Sequence, residues 1–578
     1  MKKLATVTIA LITACVFLMF TACEPITEDL PTALGDLTPG PGSAYGGSSG
    51  TGGGIYVNSV PAFDINALPP VAYWNNTVGE IVNLPNPFVF ADGSGVYTEA
   101  DWSRRKEEIL KILEFYLTGT HSPLPSEPVT VTGGNADGSG TYTVTVKANG
   151  RTATFTMTIN LPTSTRDFGD GPVPVAPNGL PVSVTNPAPA LFGNLSPFRP
   201  NGYATISSGA TGSDGLAGVV QDLFQYDSAS LDRPSSLIRA AWVTGRIIDA
   251  IEEGAGKGMI DPTKLLTTGV SRGGKLALYQ GAFAKSMNGT QIAVTNPVSS
   301  GANGIALERV LGLPFKEYYW TKSLKTLGGT ELIRLFPPDE RTGLVRLDPE
   351  RRGSIQSMPS IIGDGGGNWV SPRFKQFTNM YSEWKVNKDN ARANYFGITG
   401  SMPFDAHFMS ALVAPRGLYI CDGWRSPWTN PDANYLGYLA TREVYDFLDA
   451  YDNIGIRLYN VIHSNPAWEH WDFLDFANIY FNDHTDTHGA PYARLATTGD
   501  TLTYPVQTDV KYFIDEDPEY AGDLDAYGQA NIATWYDPRN KDGKNRYDFL
   551  KLNWANPKKG LGASVADIVR DKTGWTND

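Results

Sequence analysis

The sequence predicts an α/β protein in which helices flank a mostly parallel central sheet, with β-hairpins added near the N-terminus. Three observations support this class. Valine- and threonine-rich stretches alternate with period two, other stretches are amphipathic with helical spacing, and short apolar runs lead into helical segments. Of the 578 residues, 41% are hydrophobic and 19% are charged, which excludes a disordered chain and allows a large core.

The chain begins with the features of an export signal. Two lysines, an apolar run from about Leu4 to Phe20, and small residues before Cys23 form its three parts. The Thr-Ala-Cys end resembles a bacterial lipobox, in which the cysteine is lipidated. We therefore expect residues 1–23 to be a lipoprotein signal peptide and Cys23 to anchor the protein in the cell envelope, at the outer surface or in the periplasm. An ordinary secreted protein and a single membrane anchor are the alternatives.

The rest of the chain divides by composition. Residues 24–60 contain the run GDLTPGPGSAYGGSSGTGGG and are predicted to be a flexible Gly/Ser/Pro linker. Residues 61–482 have a globular composition and form the main predicted domain. Residues 483–578 are a C-terminal extension to which the sequence assigns no role.

Several elements can be placed within the globular part. Helical spacing predicts helices over residues 102–117, 237–253 and 468–481. Alternation between residues 129 and 160 predicts antiparallel hairpins, one of them turning at Ala148-Asn149-Gly150.

The most informative motif is Gly269-Val270-Ser271-Arg272-Gly273, a G-x-S-x-G sequence between a short predicted strand (265–268) and a predicted helix. Strand, tight turn and helix are the context of a nucleophile elbow, which predicts the α/β-hydrolase fold with Ser271 as nucleophile. The helix N-terminus favours developing negative charge, and the backbone N–H of Arg272 is the expected oxyanion donor.

A serine nucleophile requires a base and a group that orients it, and in this fold the chain order is serine, acid, histidine. A predicted buried strand, residues 417–421, ends at Asp422, and the next, residues 456–462, ends at His463. We therefore predict Asp422 as the acid and His463 as the base. Asp405 is the rival acid, but it precedes the Asp422 strand and is expected to fix a loop.

The remaining histidines are less suitable by position: His121, His407, His470, His484 and His488. His407 is the strongest of them, but it lies in the wrong order for the base and is expected to be structural. The DHTDTHG stretch that holds the last two is predicted to be a loop, whereas a metal pair at that spacing needs a helix. Only three cysteines are present, which excludes a disulfide framework and a cysteine-rich zinc site. We expect no metal and no organic cofactor.

Partners follow from charge and from side chains near the serine. A net charge of −13 without a basic run argues against nucleic acid. Lys275 lies four residues after Ser271 and shares its helix face, where it can donate to sugar hydroxyls. A solvated helix lysine is the alternative. Aromatic residues, 11% of the chain, can supply platforms for sugar rings.

Together these residues resemble the glucuronoyl esterases, carbohydrate esterase family 15. Blocks between about Trp102 and Phe481 carry the resemblance: RIID with Asp261-Pro262, GVSRGGK at 269–275, residues 296–304, residues 369–377, MPFDAHFMSALVAPR at 402–416, Pro427-Trp428, and His463. The resemblance implies that the Arg272 side chain also stabilises the oxyanion and that Trp428 forms a wall for the sugar ring. A core-packing role is the alternative for Trp428.

The chain departs from the family pattern at the acid. Many members carry a glutamate in the block that here reads Pro297 to Gly301, and the corresponding position is Ser299. Other bacterial members carry an acid two residues before the substrate-binding tryptophan, where this chain has Ser426. Asp422 is the nearest carboxylate, and the loss of both usual positions also fits a weakened or inactive relative.

The resemblance thus implies a serine esterase that cleaves esters between (4-O-methyl-)glucuronic acid of glucuronoxylan and lignin alcohols. We expect a monomer that meets the membrane only through its N-terminal lipid. The alternatives are another carbohydrate esterase, such as an acetyl xylan esterase, and a non-catalytic glycan-binding lipoprotein on a degenerate hydrolase fold.

Overall fold

The structure is a computed structural model. It describes residues 84–169, 171–193, 195, 197–208, 213–308, 366–375, 402–423, 429–459, 463 and 467–481. Within these ranges, none of the helices is both long enough and apolar enough to traverse a bilayer. Some expectations fall outside the described residues, namely those on residues 1–60 and 483–578, Ser426, Trp428, His484 and His488.

The first described helix, α1, spans Glu99–Leu113 and continues into a π-helical turn, Glu114–Thr118. This confirms the predicted helix at 102–117, with a start three residues earlier. The start is fixed by a capping box, because the Thr98 hydroxyl accepts from the backbone of Asp101 while the Asp101 carboxylate accepts from the backbone of Thr98.

The predicted hairpins are confirmed as three antiparallel strands, β1 (Thr130–Gly133), β2 (Gly140–Ala148) and β3 (Arg151–Asn160). Asn149 and Gly150 join β2 to β3, and their φ angles of 50° and 70° suit a two-residue hairpin turn. Buried and exposed residues alternate along β2 and β3, so one face packs on the core and the other faces solvent.

Among the described residues, nine strands form the central sheet in the order β1-β2-β3-β7-β6-β8-β9-β10-β11, and β4 pairs with β5 separately. Pairing is parallel from β7 through β11 and antiparallel from β1 through β7. The remaining strands are β4 (Thr165–Asp167), β5 (Pro172–Pro174), β6 (Ala188–Phe192), β7 (Ala204–Ser208), β8 (Ile260–Val270), β9 (Val294–Val298), β10 (Gly417–Gly423) and β11 (Ile454–Tyr459).

Six further helices of more than one turn are described, together with a single helical turn at Pro372–Lys375. They are α2 (Ser213–Phe224), α3 (Ser236–Glu252), α4 (Arg272–Phe283), α5 (Ala406–Ala411), α6 (Pro431–Phe447) and α7 (Ala467–Phe481). The helices predicted at 237–253 and 468–481 correspond to α3 and α7.

Strand β10 shows how the layers form, because it is buried along its whole length. Leu418 and Ile420 pack in one apolar cluster with residues of α5 and α6, whereas Tyr419 and Cys421 pack in another with residues of α7. Successive side chains of a strand point to opposite faces. The sheet therefore has helices on both faces, which is the predicted three-layer α/β architecture.

Two strands start earlier than predicted. Strand β8 begins at Ile260 rather than 265, because its first residues pair with β6 across a register shift between Ala188 and Ala190. Such a shift accommodates Pro262, which has no N–H for a regular ladder. Strand β11 begins at Ile454, two residues before the predicted start.

Candidate active site

Ser271 occupies a strained turn between β8 and α4. Its φ and ψ of 59° and −116° lie outside the regions that non-glycine residues usually adopt. The turn is held by the Ser271 N–H, which donates to the Val298 carbonyl at 2.9 Å, and by the Lys275 N–H, which donates to the Ser271 carbonyl at 3.0 Å. The Ser271 side chain does not cap α4. This is the geometry predicted for a nucleophile elbow.

Two glycines make this turn sterically feasible. A Cβ on Gly269 would lie 2.4 Å from the Gly273 carbonyl oxygen, and a Cβ on Gly274 would lie 2.3 Å from the Val298 carbonyl oxygen. By contrast, a Cβ on Gly273 would meet no atom within 4 Å. Close packing therefore requires glycine at position 269, which opens the motif, and at position 274, which directly follows it.

We expect Gly274→Ala to destabilise the protein by roughly 1–3 kcal/mol, because α4 must move away from the Val298 backbone. The matched variant Gly273→Ala should leave the unfolding free energy within about 0.5 kcal/mol of the wild type. Chemical denaturation of both variants measures this difference. Equal stability of the two variants would contradict the proposed crowding.

Ser271, Ser299 and Asp422 lie side by side at the carboxyl edge of the sheet. Val270 of β8 pairs with Val298 of β9, which pairs with Cys421 of β10. Ser271, Ser299 and Asp422 are the residues that come directly after these three paired residues. The Ser299 N–H extends the alignment by donating to the Cys421 carbonyl at 2.7 Å. The structure thus places the predicted nucleophile and acid at the ends of β8 and β10, the two strands that flank β9, with Ser299 after β9 between them.

The Asp422 carboxylate is fully buried and accepts four hydrogen bonds. Oδ1 accepts from the Ser299 hydroxyl, the Gly423 N–H and the Thr429 hydroxyl, each at 2.8 Å, and Oδ2 accepts from the Asn434 amide. Burial raises the pKa of Asp422 to about 6, against the lowering effect of these donors. Among the described residues, these bonds do not include one from His463, so its pairing with Asp422 stays a prediction.

His463 lies beyond the end of β11, next to the strand that carries Asp422. Its side chain retains access to solvent. Partial desolvation lowers the pKa of His463, and the positive charge of Lys275 lowers it further. A lowered pKa keeps the imidazole neutral near pH 7, which is the form that a general base needs.

Lys275 is completely buried in α4, so the alternative of a solvated helix lysine is wrong. Its ammonium donates to the Ser300 carbonyl and lies 5.9 Å from the centre of the Trp369 ring. Burial lowers the pKa of Lys275 to about 7, while the negative charges of Glu308 and Asp422 oppose that shift. Lys275 is therefore electrostatically coupled to both Asp422 and His463.

Two further buried carboxylates, Glu308 and Asp405, lie near Lys275. Glu308 accepts from the Asn303 N–H at 2.7 Å, and its own N–H donates to Asp405 at 2.7 Å. Burial, and then the charge of Asp405, raise the pKa of Glu308 to about 8. Asp405 also caps α5 by accepting from the Ala406 N–H. This placement agrees with the loop-fixing role predicted for Asp405.

The other predicted residues are placed as follows. Arg272 opens α4 and is exposed. His407 is buried and its Nε2 lies 2.8 Å from the Pro85 carbonyl oxygen, while burial lowers the pKa of His121 to about 4. His470 lies in α7, as predicted. In the described ranges, no three His, Cys, Asp or Glu side chains are grouped as metal ligands would be.

Sequence reasoning missed the partners of Asp422 and the aromatic neighbour of Lys275. The sequence could have indicated Thr429 and Asn434, because Asn430-Pro431 is a typical helix start shortly after the strand that carries Asp422. The first turn of such a helix faces the carboxyl edge of the sheet. Trp369 and Glu308 had no such signal, since only the tertiary fold brings them to α4.

Known proteins resemble this chain in sequence and in structure. A family model described as glucuronyl esterase of fungi matches residues 144–318 and 371–449. A multidomain esterase of Ruminococcus flavefaciens is 29% identical over 397 residues, which cover 66% of this chain and 44% of that protein. A 4-O-methyl-glucuronoyl methylesterase of Schizophyllum commune is 29% identical over 416 residues, which cover 72% of this chain and 84% of that protein.

The structural comparison agrees. A carbohydrate esterase family 15 glucuronoyl esterase from Caldicellulosiruptor kristjansonii is 26% identical, with a TM-score of 0.52, over 72% of this chain and 96% of that one. The chain spans less than half the length of the Ruminococcus protein but nearly all of this esterase. The predicted α/β-hydrolase fold is thereby confirmed, and over the matched residues the chain is similar to the glucuronoyl esterases.

Proposed function

We propose that this protein hydrolyses esters between (4-O-methyl-)glucuronic acid and lignin alcohols. The observation that carries the proposal is the strained elbow at Ser271, with Asp422 at the end of the second strand along the sheet and Lys275 one helical turn away. Similarity to the glucuronoyl esterases supports the substrate class, since the Schizophyllum relative is named for a 4-O-methyl-glucuronoyl ester.

In the proposed mechanism, the Ser271 hydroxyl attacks the ester carbonyl carbon while the neutral His463 imidazole takes its proton. The tetrahedral intermediate expels the alcohol, which receives that proton from His463. Water then attacks the uronoyl ester of Ser271 with the same base, and the free acid leaves. Asp422 would orient the imidazole and stabilise its charged form.

Residues around the elbow would bind the sugar and stabilise the negative charge of the tetrahedral intermediate. The N–H of Arg272 opens α4, where unpaired donors favour an oxyanion, and its exposed side chain can reach the same oxygen. Lys275, whose buried ammonium lies one helical turn from Ser271, would act on the bound sugar through its positive charge, and Trp428 would flank the ring. No metal or organic cofactor takes part in these steps.

The substrate class is tested by comparing benzyl glucuronate with acetylated xylan at equal enzyme concentration. We expect hydrolysis of the glucuronate ester, with kcat/KM at least tenfold above that for release of acetate. A higher rate on acetylated xylan would favour an acetyl esterase. Glycan binding without hydrolysis of either ester would favour the degenerate, non-catalytic alternative.

We also propose that the protein is exported and held at the cell envelope by a lipid on Cys23, which follows the predicted signal. Cys23→Ser should move the protein from the membrane fraction to the soluble fraction, because nothing else in the predicted organisation anchors it. Immunoblots of the two fractions measure the change, with Cys421→Ser as the control. Retention of the Cys23 variant in membranes would overturn the lipid assignment.

A further inference from the structure

The donors around Asp422 are distributed unequally between its two oxygens. Oδ1 accepts from the hydroxyls of Ser299 and Thr429 and from the Gly423 N–H, whereas Oδ2 accepts only from Asn434 among the described residues. A carboxylate offers about four lone-pair sites, two on each oxygen. The capacity of Oδ1 is therefore used, and Oδ2 keeps a site for one more donor.

The open site can be assigned to a strand neighbour. Asp422 pairs with Leu458 of β11, and His463 follows that strand by a few residues. An imidazole N–H is the donor that the proposed mechanism requires there. The hydroxyls on Oδ1 thus determine which oxygen stays available to His463.

The same hydroxyls affect the ionisation of the carboxylate. Burial disfavours the charged form, while each donated hydrogen bond favours it, so the pKa of Asp422 reflects their balance. Among the described residues, Lys275 of α4 couples electrostatically to this carboxylate, and His463 beyond β11 couples to Lys275. The hydroxyl of Ser299 comes from β9 and is itself buried.

We propose that Ser299 is a positioning residue: its hydroxyl fixes Oδ1 of Asp422, so that Oδ2 faces the His463 imidazole and the carboxylate is ionised in the working pH range. The Thr429 hydroxyl donates to the same oxygen. The inference rests on the proposed function, because it assigns Asp422 to the ester-hydrolysing site.

The test is the pH profile of Ser299→Ala on benzyl glucuronate. Losing one donor to a charged acceptor should raise the pKa of Asp422 and move the acid limb of kcat to higher pH by about one unit. We expect kcat near pH 6 to fall about fivefold and KM to stay within about twofold. Ser286→Ala is the matched control, because it also removes a buried serine hydroxyl. That hydroxyl donates to Glu252 at 3.1 Å, and neither residue belongs to the proposed site.

The pKa of Asp422 can also be measured by NMR, independently of catalytic activity. The ¹³C shift of the Asp422 carboxyl carbon, assigned by its loss in Asp422→Asn, gives the pKa in the wild type and in both serine variants. An unchanged pKa and acid limb in Ser299→Ala would overturn the inference even with an active wild type. If the wild type hydrolyses no glucuronate ester, the proposed function fails, and the carboxyl titration still decides the role of Ser299.

Discussion

Replacing Ser271 with alanine should abolish hydrolysis of benzyl glucuronate, lowering kcat by about 10⁴-fold or more. The hydroxyl is the proposed nucleophile, and no other group in the mechanism can form the covalent ester. Stability should change by less than about 1 kcal/mol, because the side chain is only partly buried and does not cap α4. Steady-state kinetics and chemical denaturation of the same preparation separate the two effects.

The control for this experiment is Ser286→Ala, which removes another serine hydroxyl from a loop outside the site. It should retain activity within about twofold of the wild type. A Ser271→Ala protein that is folded and still hydrolyses the ester at a comparable rate would refute the nucleophile assignment.

Replacing Asp422 with asparagine has the second large expected effect, a fall in kcat of about 10⁴-fold. Without a carboxylate partner, the His463 imidazole samples the wrong tautomer and its charged form loses stabilisation. Asp405→Asn is the comparison, because Asp405 is the rival acid and asparagine also caps helices. That variant should keep kcat within a few-fold of the wild type, whereas the reverse pattern would assign the acid to Asp405.

The stability of Asp422→Asn gives an independent check on this carboxylate. Burial raises the pKa of Asp422 to about 6, so the folded state loses stability as the pH rises through that value and regains it towards acid. Asparagine cannot ionise. The unfolding free energy of the variant relative to the wild type should therefore improve by about 3 kcal/mol between about pH 4 and pH 7. A pH-independent difference would contradict the raised pKa.

The sequence was sufficient for the parts of the molecule that depend on local pattern. A parallel strand buried on both faces is a continuous apolar run, so the strand that ends at Asp422 could be found without the fold. The elbow at Ser271 could be found for a similar reason, since strand, tight turn and helix are contiguous in the chain. The structure adds that neighbouring backbone atoms leave no room for a Cβ at Gly269 and Gly274, whereas a Cβ at Gly273 would meet no atom within 4 Å.

The parts that were not predictable depend on contacts between distant segments. Ser299 and Asp422 are separated by 123 positions, yet their side chains share a hydrogen bond because β9 and β10 end in the same row. The burial of Lys275 was missed for the same reason. Helical spacing shows which face a lysine occupies but does not show that the chain around Ser300 covers it.

The sheet order also has a practical use in attaching the protein to a solid support. The Asn149–Gly150 turn joins β2 to β3, and six strand spacings separate β2 from β10, the strand of Asp422. At about 4.8 Å per spacing, this is roughly 29 Å across the sheet. Both turn residues are exposed, so an affinity peptide or a reactive handle inserted between them would immobilise the molecule by one flank. A bulky, insoluble substrate could then approach Ser271 from the side that faces away from the support.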